Sequence, residues 1–246
     1  MKFRLDHVVF AVADLARAAG QWRDRGFTVV TGGRHPGRTS HNALVAFADG
    51  AYVELIAWSA PGPAERWYNE HARHGDGLMD FALIPDDVPL AVEEAGARGL
   101  ALDGPRDGGR ARPDGLEVKW RTARQATFDL PFLCGDVTPR ELRVPDGPAR
   151  SHRNGATGIA TLTVAVRDLD ASLARYAALL GLAPGGASRD GMRIEARAAG
   201  SRTASVILDA ASIVLSQEER ARGEGPCALS LRGIQDFGTG RRAAGA

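Results

Sequence analysis

The sequence predicts an α+β fold built from repeated βαβββ modules, and three observations support this prediction. Three segments, which start at Leu5, Leu78 and Ile159, begin alike with a strand-like apolar run. Each run reaches an aspartate and continues as an amphipathic helix. Each helix stops at a glycine, after which the pattern changes to short β-prone runs. One structural unit is therefore repeated along the chain.

The aspartates and glycines predict where the three helices begin and end. An aspartate at the N-cap accepts hydrogen bonds from the free backbone N–H groups of the first turn. These N-caps are Asp14, Asp87 and Asp168. Glycine readily takes the left-handed conformation that ends a helix. The glycines in question are Gly26, Gly99 and Gly181.

The runs after each helix predict the remaining strands. Those of the first module are 28–31, 42–47 and 52–57, with a hairpin signal at 48–50. The last strands of the second module are 116–122 and 130–134. Those of the third module are 192–196, 204–208 and 212–216. A final run at 227–231 looks like the start of a fourth module that is cut short.

Two polar stretches rich in proline or glycine divide the chain. The stretch 60–77 is predicted to link a first module at about 3–60 to a second at about 76–140, and 144–155 is the better candidate for a domain boundary. We therefore expect one domain at 1–145, made of two modules. The segment 146–246 would hold the third module and the partial fourth, and 238–246 is predicted to be a frayed tail.

Composition favours a small-molecule partner. The 31 Lys and Arg residues against 30 Asp and Glu give a net charge of +1, which provides no electrostatic reason to expect nucleic acid or an anionic membrane. No apolar run has the ~20 residues of a membrane span, and the N-terminus lacks a signal-peptide pattern, so we expect a cytoplasmic protein. Cys134 and Cys227 lie far apart in apolar contexts and are expected to be buried thiols.

The sequence resembles the glyoxalase-like group of the vicinal oxygen chelate superfamily over roughly residues 3–230. The resemblance is carried by LDHVVFAVADL, HNALVAFADGAYVELIAW and PDGLEVKWRTA followed by LPFL. It implies curled mixed sheets that form a partial barrel, with helices on the outer face and a divalent metal and substrate in the concave face. Reactions of the superfamily include isomerisation, epimerisation, ring-cleaving dioxygenation and thiol addition, and some members only bind and sequester drugs.

The resemblance also implies metal ligands on the first and fourth strands of each module. His7 and Glu54 occupy these strands in the first module, and strand alternation lets both face one hollow. Glu54 lies in an apolar run, where an ionised carboxylate is costly to bury alone. Matching the modules at their N-cap aspartates places Asp80 opposite His7. The third module has Thr161 and Val214 instead, so we expect it to be structural or dimer-forming.

The predicted metal ligands are thus His7, Glu54 and Asp80, for iron, manganese, nickel or zinc, with one imidazole and two carboxylates favouring an ion harder than zinc. The usual fourth ligand is not evident, which leaves a metal-free site as the alternative. His41 is predicted, with Glu54, to move a proton as a catalytic residue. A strand-end imidazole that meets solvent is the competing interpretation of His41.

Three residues are predicted to bind substrate. Arg38 lies on the loop that also carries His35, and such loops beside a pocket often position anionic substrates. Trp120 and Arg121 combine a flat apolar face with a cationic fork, which suits an aromatic or carboxylate-bearing ligand. A structural cation–π pair is the alternative. The histidines of the polar linkers are expected to be solvated: His71, His74 and His152.

Three functions remain open at this point. The first is a metal-dependent lyase, isomerase or dioxygenase, whose ion polarises the oxygens of a small substrate while His41 or Glu54 moves a proton. The second is a metal-free protein that sequesters a small aromatic or carboxylated compound. The third is an interaction scaffold, which would have no enclosed pocket beside His7. A truncated fourth module leaves a sheet edge that a homodimer would cover.

Overall fold

The computed structural model describes residues 1–196 and 198–234, which form two β-sheets with helices packed against them. The α+β fold class is confirmed. The tail predicted at 238–246 lies outside the described residues. None of the described helices has the length and apolar character that crossing a bilayer requires.

The first sheet is an eight-stranded barrel. Its strands are β1 (Phe3–Ala11), β2 (Val30–Arg34), β3 (Ser40–Ala46), β4 (Tyr52–Trp58), β5 (Gly77–Pro85), β6 (Asp103–Ala111), β7 (Glu117–Arg124) and β8 (Phe132–Asp136). Around the barrel they follow the order β1-β4-β3-β2-β6-β7-β8-β5. The resemblance implied a partial barrel, but this one closes, because Arg34 of β2 pairs with Ala111 of β6.

Most helices begin and end where the sequence predicts. The described α-helices are α1 (Leu15–Asp24), α2 (Arg66–His74), α3 (Val88–Ala97), α4 (Arg140–Arg143) and α5 (Leu169–Leu180), and Gly147–Arg150 forms a 3-10 turn. Each predicted aspartate caps a helix by accepting a backbone N–H at 2.7–2.9 Å. Each predicted glycine has a positive φ, at 88°, 86° and 66°. The cap predictions are confirmed for α1, α3 and α5.

Helix α2 lies inside the segment 60–77, which was expected to be a linker. Its Trp67 reaches a buried carboxylate on β5, and its His71 stacks on Trp58 with ring centroids 5.3 Å apart. The expectation that His71 is solvated is therefore wrong. The helix forms because these aromatic rings pack against the barrel, and neighbouring turns of a helix place them on one side.

The second sheet continues the same module pattern. Its strands are β9 (Gly158–Val166), β10 (Arg193–Ile194), β11 (Thr203–Leu208), β12 (Ala211–Gln217) and β13 (Gly225–Arg232), in the order β10-β11-β12-β9-β13. Strand β9 pairs in parallel with β12 and antiparallel with β13. The sheet does not close among the described residues. The division of the chain into domains at 145 and 146 stays a prediction.

A continuous apolar core lies between the barrel, the helices and the second sheet. It joins residues of α1, α3 and α5 to the outward-facing residues of the barrel, for example Trp22, Val53 and Tyr176. Inside the barrel a smaller apolar cluster includes Val9 and Phe132. The interior of the barrel is therefore only partly filled by apolar side chains.

His152 connects the segment after the barrel to the barrel itself. Its Nδ1 accepts the backbone N–H of Thr28 at 3.0 Å, and its Nε2 donates to the carbonyl of Ala46 at 3.0 Å. The imidazole lies between Phe27 and Phe47. The expectation that His152 is solvated is wrong, because this pairing requires a neutral ring between two aromatic side chains. Burial accordingly lowers the pKa of His152.

Candidate functional site

A cavity of about 1320 Å³ opens into the barrel. Aromatic rings from several elements line it: Tyr52, Trp67, Trp120 and Phe132. Cationic side chains outnumber carboxylates in its lining. The cations are Arg38, Arg66, Arg106, Arg110, Lys119, Arg121, Arg124 and Arg143, and the carboxylates are Glu54, Glu65, Asp103, Asp107 and Glu117. The cavity is suited in size and polarity to a small molecule with an apolar and a polar part.

His7 and Glu54 meet inside this cavity. Strands β1 and β4 are parallel with Val9 opposite Glu54 and His7 opposite Tyr52, so these side chains share the inner face of the barrel. His7 Nε2 lies 3.5 Å from Glu54 Oε2. Both residues are buried, with exposed fractions of 3% and 5%. The structure therefore brings together the imidazole and the carboxylate that the sequence predicts as partners.

A β-bulge in β1 gives His7 a second carboxylate neighbour. The register of β1 against β5 shifts between Leu5 and His7, which disturbs the strand alternation at Asp6. Asp6 is fully buried, and its Oδ2 lies 2.7 Å from His7 Nδ1. Since an ionised carboxylate can only accept, Nδ1 carries the proton of this hydrogen bond. The Nε2 atom of His7 is left to face Glu54.

Two arginines keep Asp6 ionised. Arg143 donates to both oxygens of Asp6 at 2.8 and 3.1 Å, and Arg140 lies 2.8 Å from Oδ1. Burial alone would raise the pKa of Asp6, but the charges of Arg143, His7 and Arg140 and the hydrogen bond from His7 hold it well below its usual value. Arg143, itself buried, also donates to the hydroxyl of Tyr52 at 2.8 Å. The Tyr52 ring stacks on the imidazole of His7 with ring centroids 4.5 Å apart. The hydrogen bond to Asp6 and the stacked ring of Tyr52 together hold the imidazole in place.

Asn42 and His35 approach the other side of Glu54. Asn42 Nδ2 donates to Glu54 Oε1 at 2.6 Å, and Gly32 leaves room for Asn42, because a Cβ there would collide with its Oδ1. His35 Nε2 lies 4.0 Å from the same Oε1, while its Nδ1 is 3.0 Å from Ser40 Oγ. Burial lowers the pKa of His35, which favours its neutral form. Glu54 is thus oriented through Oε1 and presents Oε2 to His7.

His41 does not reach the cavity. It is adjacent to Asn42 in β3, and alternation turns it to the opposite face, since Asn42 and Leu44 share the face of Glu54. The expected placement of His41 as a catalytic residue is therefore wrong. Asn42, which sequence reasoning missed, occupies the inward position instead.

Asp80 lies on β5 but does not join His7 and Glu54. Its Oδ2 accepts from Trp67 Nε1 at 2.8 Å and its Oδ1 accepts from the backbone N–H of Phe81 at 2.9 Å. Asp80 is not among the residues that line the cavity, and burial raises its pKa. The predicted metal ligand set His7, Glu54 and Asp80 is therefore not assembled.

No other side chain completes that set. Cys134 faces the cavity from β8, but burial raises the pKa of its thiol to about 12, so it is protonated at neutral pH. Within residues 1–196 and 198–234, no three His, Cys, Asp or Glu side chains are arranged to hold an ion. A divalent metal needs more ligands than His7 and Glu54 supply. The residues present do not fit the metal centre that the resemblance implies.

The predicted substrate-binding residues differ in placement. Arg38 and Trp120 line the cavity. Arg121 borders the cavity at its exposed rim, where its Nε is 3.3 Å from Asp107 Oδ1. Sequence reasoning missed Arg124, which alternation places on the inner face of β7 with Trp120. Extending the predicted strand 116–122 by two residues would have found it.

The comparisons with known proteins support the fold. A family model described as a glyoxalase-like domain matches residues 5–180. A hypothetical protein from Staphylococcus aureus is similar in structure with a TM-score of 0.69 at 14% identity, over 88% of this chain and 87% of that one. No curated protein matches in sequence.

Two further solved structures share the architecture. One is a mutant of 4-hydroxymandelate synthase from Streptomyces coelicolor, with a TM-score of 0.56 and 16% identity over 94% of this chain and 71% of that one. The other is a xylose isomerase-like TIM barrel/4-hydroxyphenylpyruvate dioxygenase fusion protein, with a TM-score of 0.55 and 19% identity. It matches 92% of this chain over 36% of its own length. At these identities the likeness concerns the fold.

Proposed function

This chain belongs to the glyoxalase-like domain family of the vicinal oxygen chelate superfamily, and from that premise we propose that it is a proton-transferring enzyme acting on a small oxygenated substrate in the barrel cavity. The observation that supports the proposal is the position of His7 between two carboxylates, with Asp6 at Nδ1 and Glu54 at Nε2. His7 Nε2 and Glu54 Oε2 face each other at 3.5 Å, which places an imidazole nitrogen and a carboxylate oxygen on either side of one small space. Such a pair can supply both an acid and a base.

The proposed chemistry is isomerisation or elimination at a carbon next to a carbonyl group. Glu54 removes the proton from this carbon, and the electrons of the broken C–H bond move onto the carbonyl oxygen. Protonated His7 donates a hydrogen bond to that oxygen through Nε2 and is stabilised by Asp6 behind it. Asn42 holds Glu54 in place through Oε1. Where the deprotonated carbon carries a hydroxyl, proton return to the former carbonyl carbon with loss of the hydroxyl proton gives an isomer. Where the next carbon carries a leaving group, its departure with the electron pair of its bond gives an unsaturated product.

Metal-dependent forms of this proposal need a ligand that the geometry does not supply. With Asp80 hydrogen-bonded to Trp67 and Cys134 protonated, the expected ion would have His7 and Glu54 alone. We therefore assign proton transfer to the side chains themselves. Dioxygenation, which depends on a redox metal, is not part of the proposal.

Proton exchange with solvent tests the proposed function. A panel of 2-oxo acids, hydroxyketones and aldehydes is incubated with the full chain in D₂O, and deuterium incorporation is followed by NMR. We expect Glu54→Gln to lower the exchange rate of a responsive compound about 10²- to 10⁴-fold, since a positioned base contributes on that order. Glu94→Gln, on helix α3 and outside the cavity, is the matched control. Equal exchange by wild type and Glu54→Gln contradicts the proposal.

A binding protein without catalysis is the second candidate. The aromatic lining and the incomplete ligand set favour it, because both suit capture of a compound without chemistry. It predicts that panel compounds bind without deuterium incorporation and that Glu54→Gln binds them as the wild type does. The exchange experiment therefore separates the two candidates.

A further inference from the structure

Three guanidinium groups line the cavity close enough together for the charges of two of them to act on the third. They belong to Arg38, Arg66 and Arg124, all of which line it. Burial lowers the pKa of Arg124, and the positive charges of Arg66 and Arg38 lower it further, whereas Asp80 opposes this. Like charges this close repel, so their arrangement is stabilised when an anion lies among them.

Neighbouring groups leave Arg124 available to such an anion. Its guanidinium carbon lies 5.9 Å from the ring centroid of Trp67 and 5.7 Å from that of Phe132. Among the described residues it has no hydrogen-bond acceptor and no ion pair within 4.0 Å. The negative charge of Asp80 acts on Arg124 in the direction that raises its pKa, but the two side chains form no ion pair within 4.0 Å. A half-buried guanidinium with unused donors is an incomplete site.

Arg38 and Arg66 contribute in different ways. Arg66 is held in place, since it donates to the carbonyls of Gln125 and Thr127 and lies over the ring of Phe128. Its positive charge is thus a permanent part of the local field. Arg38 lies on the exposed loop after β2, and it too has no acceptor or ion pair among the described residues. The N–H donors of Arg38 are therefore available to an anion in the cavity.

Phe132 relates this cluster to the reacting pair. The edge of its ring approaches His7, with centroids 5.3 Å apart, and its other neighbours are Trp67 and Arg124. A flat molecule placed against Phe132 would therefore reach Arg124 with one end and the His7 and Glu54 pair with the other. One aromatic ring separates the two polar ends of the cavity.

We propose that Arg124 and Arg38 form an anion-binding subsite, which holds a carboxylate or phosphate group of the substrate one ring's width from His7 and Glu54. The position of the reacting end rests on the proposed function, whereas the subsite itself does not. Guanidinium groups bind either anion through paired N–H donors. The substrate class is thus a small oxygenated compound with an anionic group separated from its reacting carbon by an apolar part.

Binding of three matched probes tests the subsite. Phenylacetate and phenyl phosphate carry the two anions, and phenylacetamide is the neutral counterpart. Their affinities for the full chain are measured by calorimetry and by quenching of tryptophan fluorescence. We expect at least one anion to bind about ten- to a hundred-fold more tightly than the amide, since hydrogen bonds to charged groups have this strength. The anion that binds with the higher affinity shows whether the subsite prefers a carboxylate or a phosphate group.

Variants of Arg124 and of an arginine outside the cavity provide the controls. Arg124→Gln should remove the preference for the anion, Arg124→Lys should keep part of it, and Arg193→Gln, at an exposed position of the second sheet, should keep all of it. Circular dichroism melting verifies that each variant is folded. Equal binding of anions and amide by the wild type overturns the subsite, as does an unchanged preference in folded Arg124→Gln.

The two proposals fail separately. Glu54→Gln should retain the preference for the anion while losing proton exchange. An anion preference in a protein that exchanges no panel compound counts against the proposed function and leaves the subsite standing. Proton exchange without any anion preference overturns the subsite and leaves the proposed function standing.

Discussion

The first and third modules share their strand arrangement and differ in what the strands carry. In the first, His7 of β1 lies opposite Tyr52 of β4, and in the third Thr161 of β9 lies opposite Ser212 of β12 at the same register. Where His7 stacks on Tyr52, the hydroxyls of Thr161 and Ser212 lie 3.0 Å apart. The strand pairing therefore does not depend on the residues of the candidate site.

The β-bulge of β1 recurs at the corresponding position of β9 in the third module. The register of β9 against β13 shifts between Ile159 and Thr161, at Ala160, which matches the shift at Asp6 in β1. The bulge thus belongs to the module, and only the first module places a carboxylate in it. The position that Glu54 occupies in the first module is occupied by Val214 in the third. The two modules thus differ at the four positions of Asp6, His7, Tyr52 and Glu54, and the structural role of the third module stays a prediction.

Replacing Asp6 by the residue of the third module should have the largest effect on stability. Asp6→Ala removes one of the two carboxylates that pair with the buried Arg143, the other being Asp136, and breaking a buried ion pair costs about 3–5 kcal/mol of unfolding free energy. Urea unfolding measures the change. Asp209→Ala, which removes an exposed partner of Lys2, is the matched control and should change stability little. A similar loss in both variants would mean that the Asp6 network does not stabilise the barrel.

The junction between the two regions should respond to acid. His152 is buried in its neutral form with a lowered pKa, so the unfolded chain binds a proton before the folded chain does. The stability from this group is fully present above about pH 6.5, the ordinary pKa of histidine, and is lost as the pH falls towards the folded pKa. Unfolding free energies between pH 7.5 and 5.5 should fall less in His152→Asn than in the wild type. An identical pH dependence would show that another group is responsible.

Removal of divalent ions should have the smallest effect. Because Asp80 and Cys134 do not complete a ligand set with His7 and Glu54, chelation should leave proton exchange and the melting temperature unchanged. A bound ion would stabilise the folded state, so its removal would lower the melting temperature. Metal analysis of protein purified without an affinity tag accompanies the measurement. A stoichiometric iron, manganese, nickel or zinc ion, lost together with activity, would contradict this prediction.

The sequence pattern predicts the barrel better than it predicts the cavity. Apolar runs with N-cap aspartates and terminal glycines locate β1, β5, β9 and their helices, because each signal is local. The module pattern predicts a strand before 116–122 but does not locate β6 (Asp103–Ala111), since DGPRDGGRA has no apolar alternation and forms a strand through its pairing with β7. Arg110 of that strand, which lines the cavity, was missed with it.

The prediction of Asp80 as a ligand was wrong for a different reason. Matching the modules places it correctly on β5, but the pattern gives no sign that Trp67 of α2 would bind its carboxylate. That contact joins a helix that was predicted to be a linker to a strand that was predicted well. Side-chain partners across elements are a property of tertiary packing, which periodicity does not encode.

The single residue pair that closes the barrel bears on how a ligand enters the cavity. Strands β2 and β6 share one pair, Arg34 with Ala111, whereas β3 and β4 share seven. Separating two strands that share one residue pair costs less free energy than separating two strands that share seven. We therefore expect the barrel wall to open most readily between β2 and β6, beside the loop that carries His35 and Arg38.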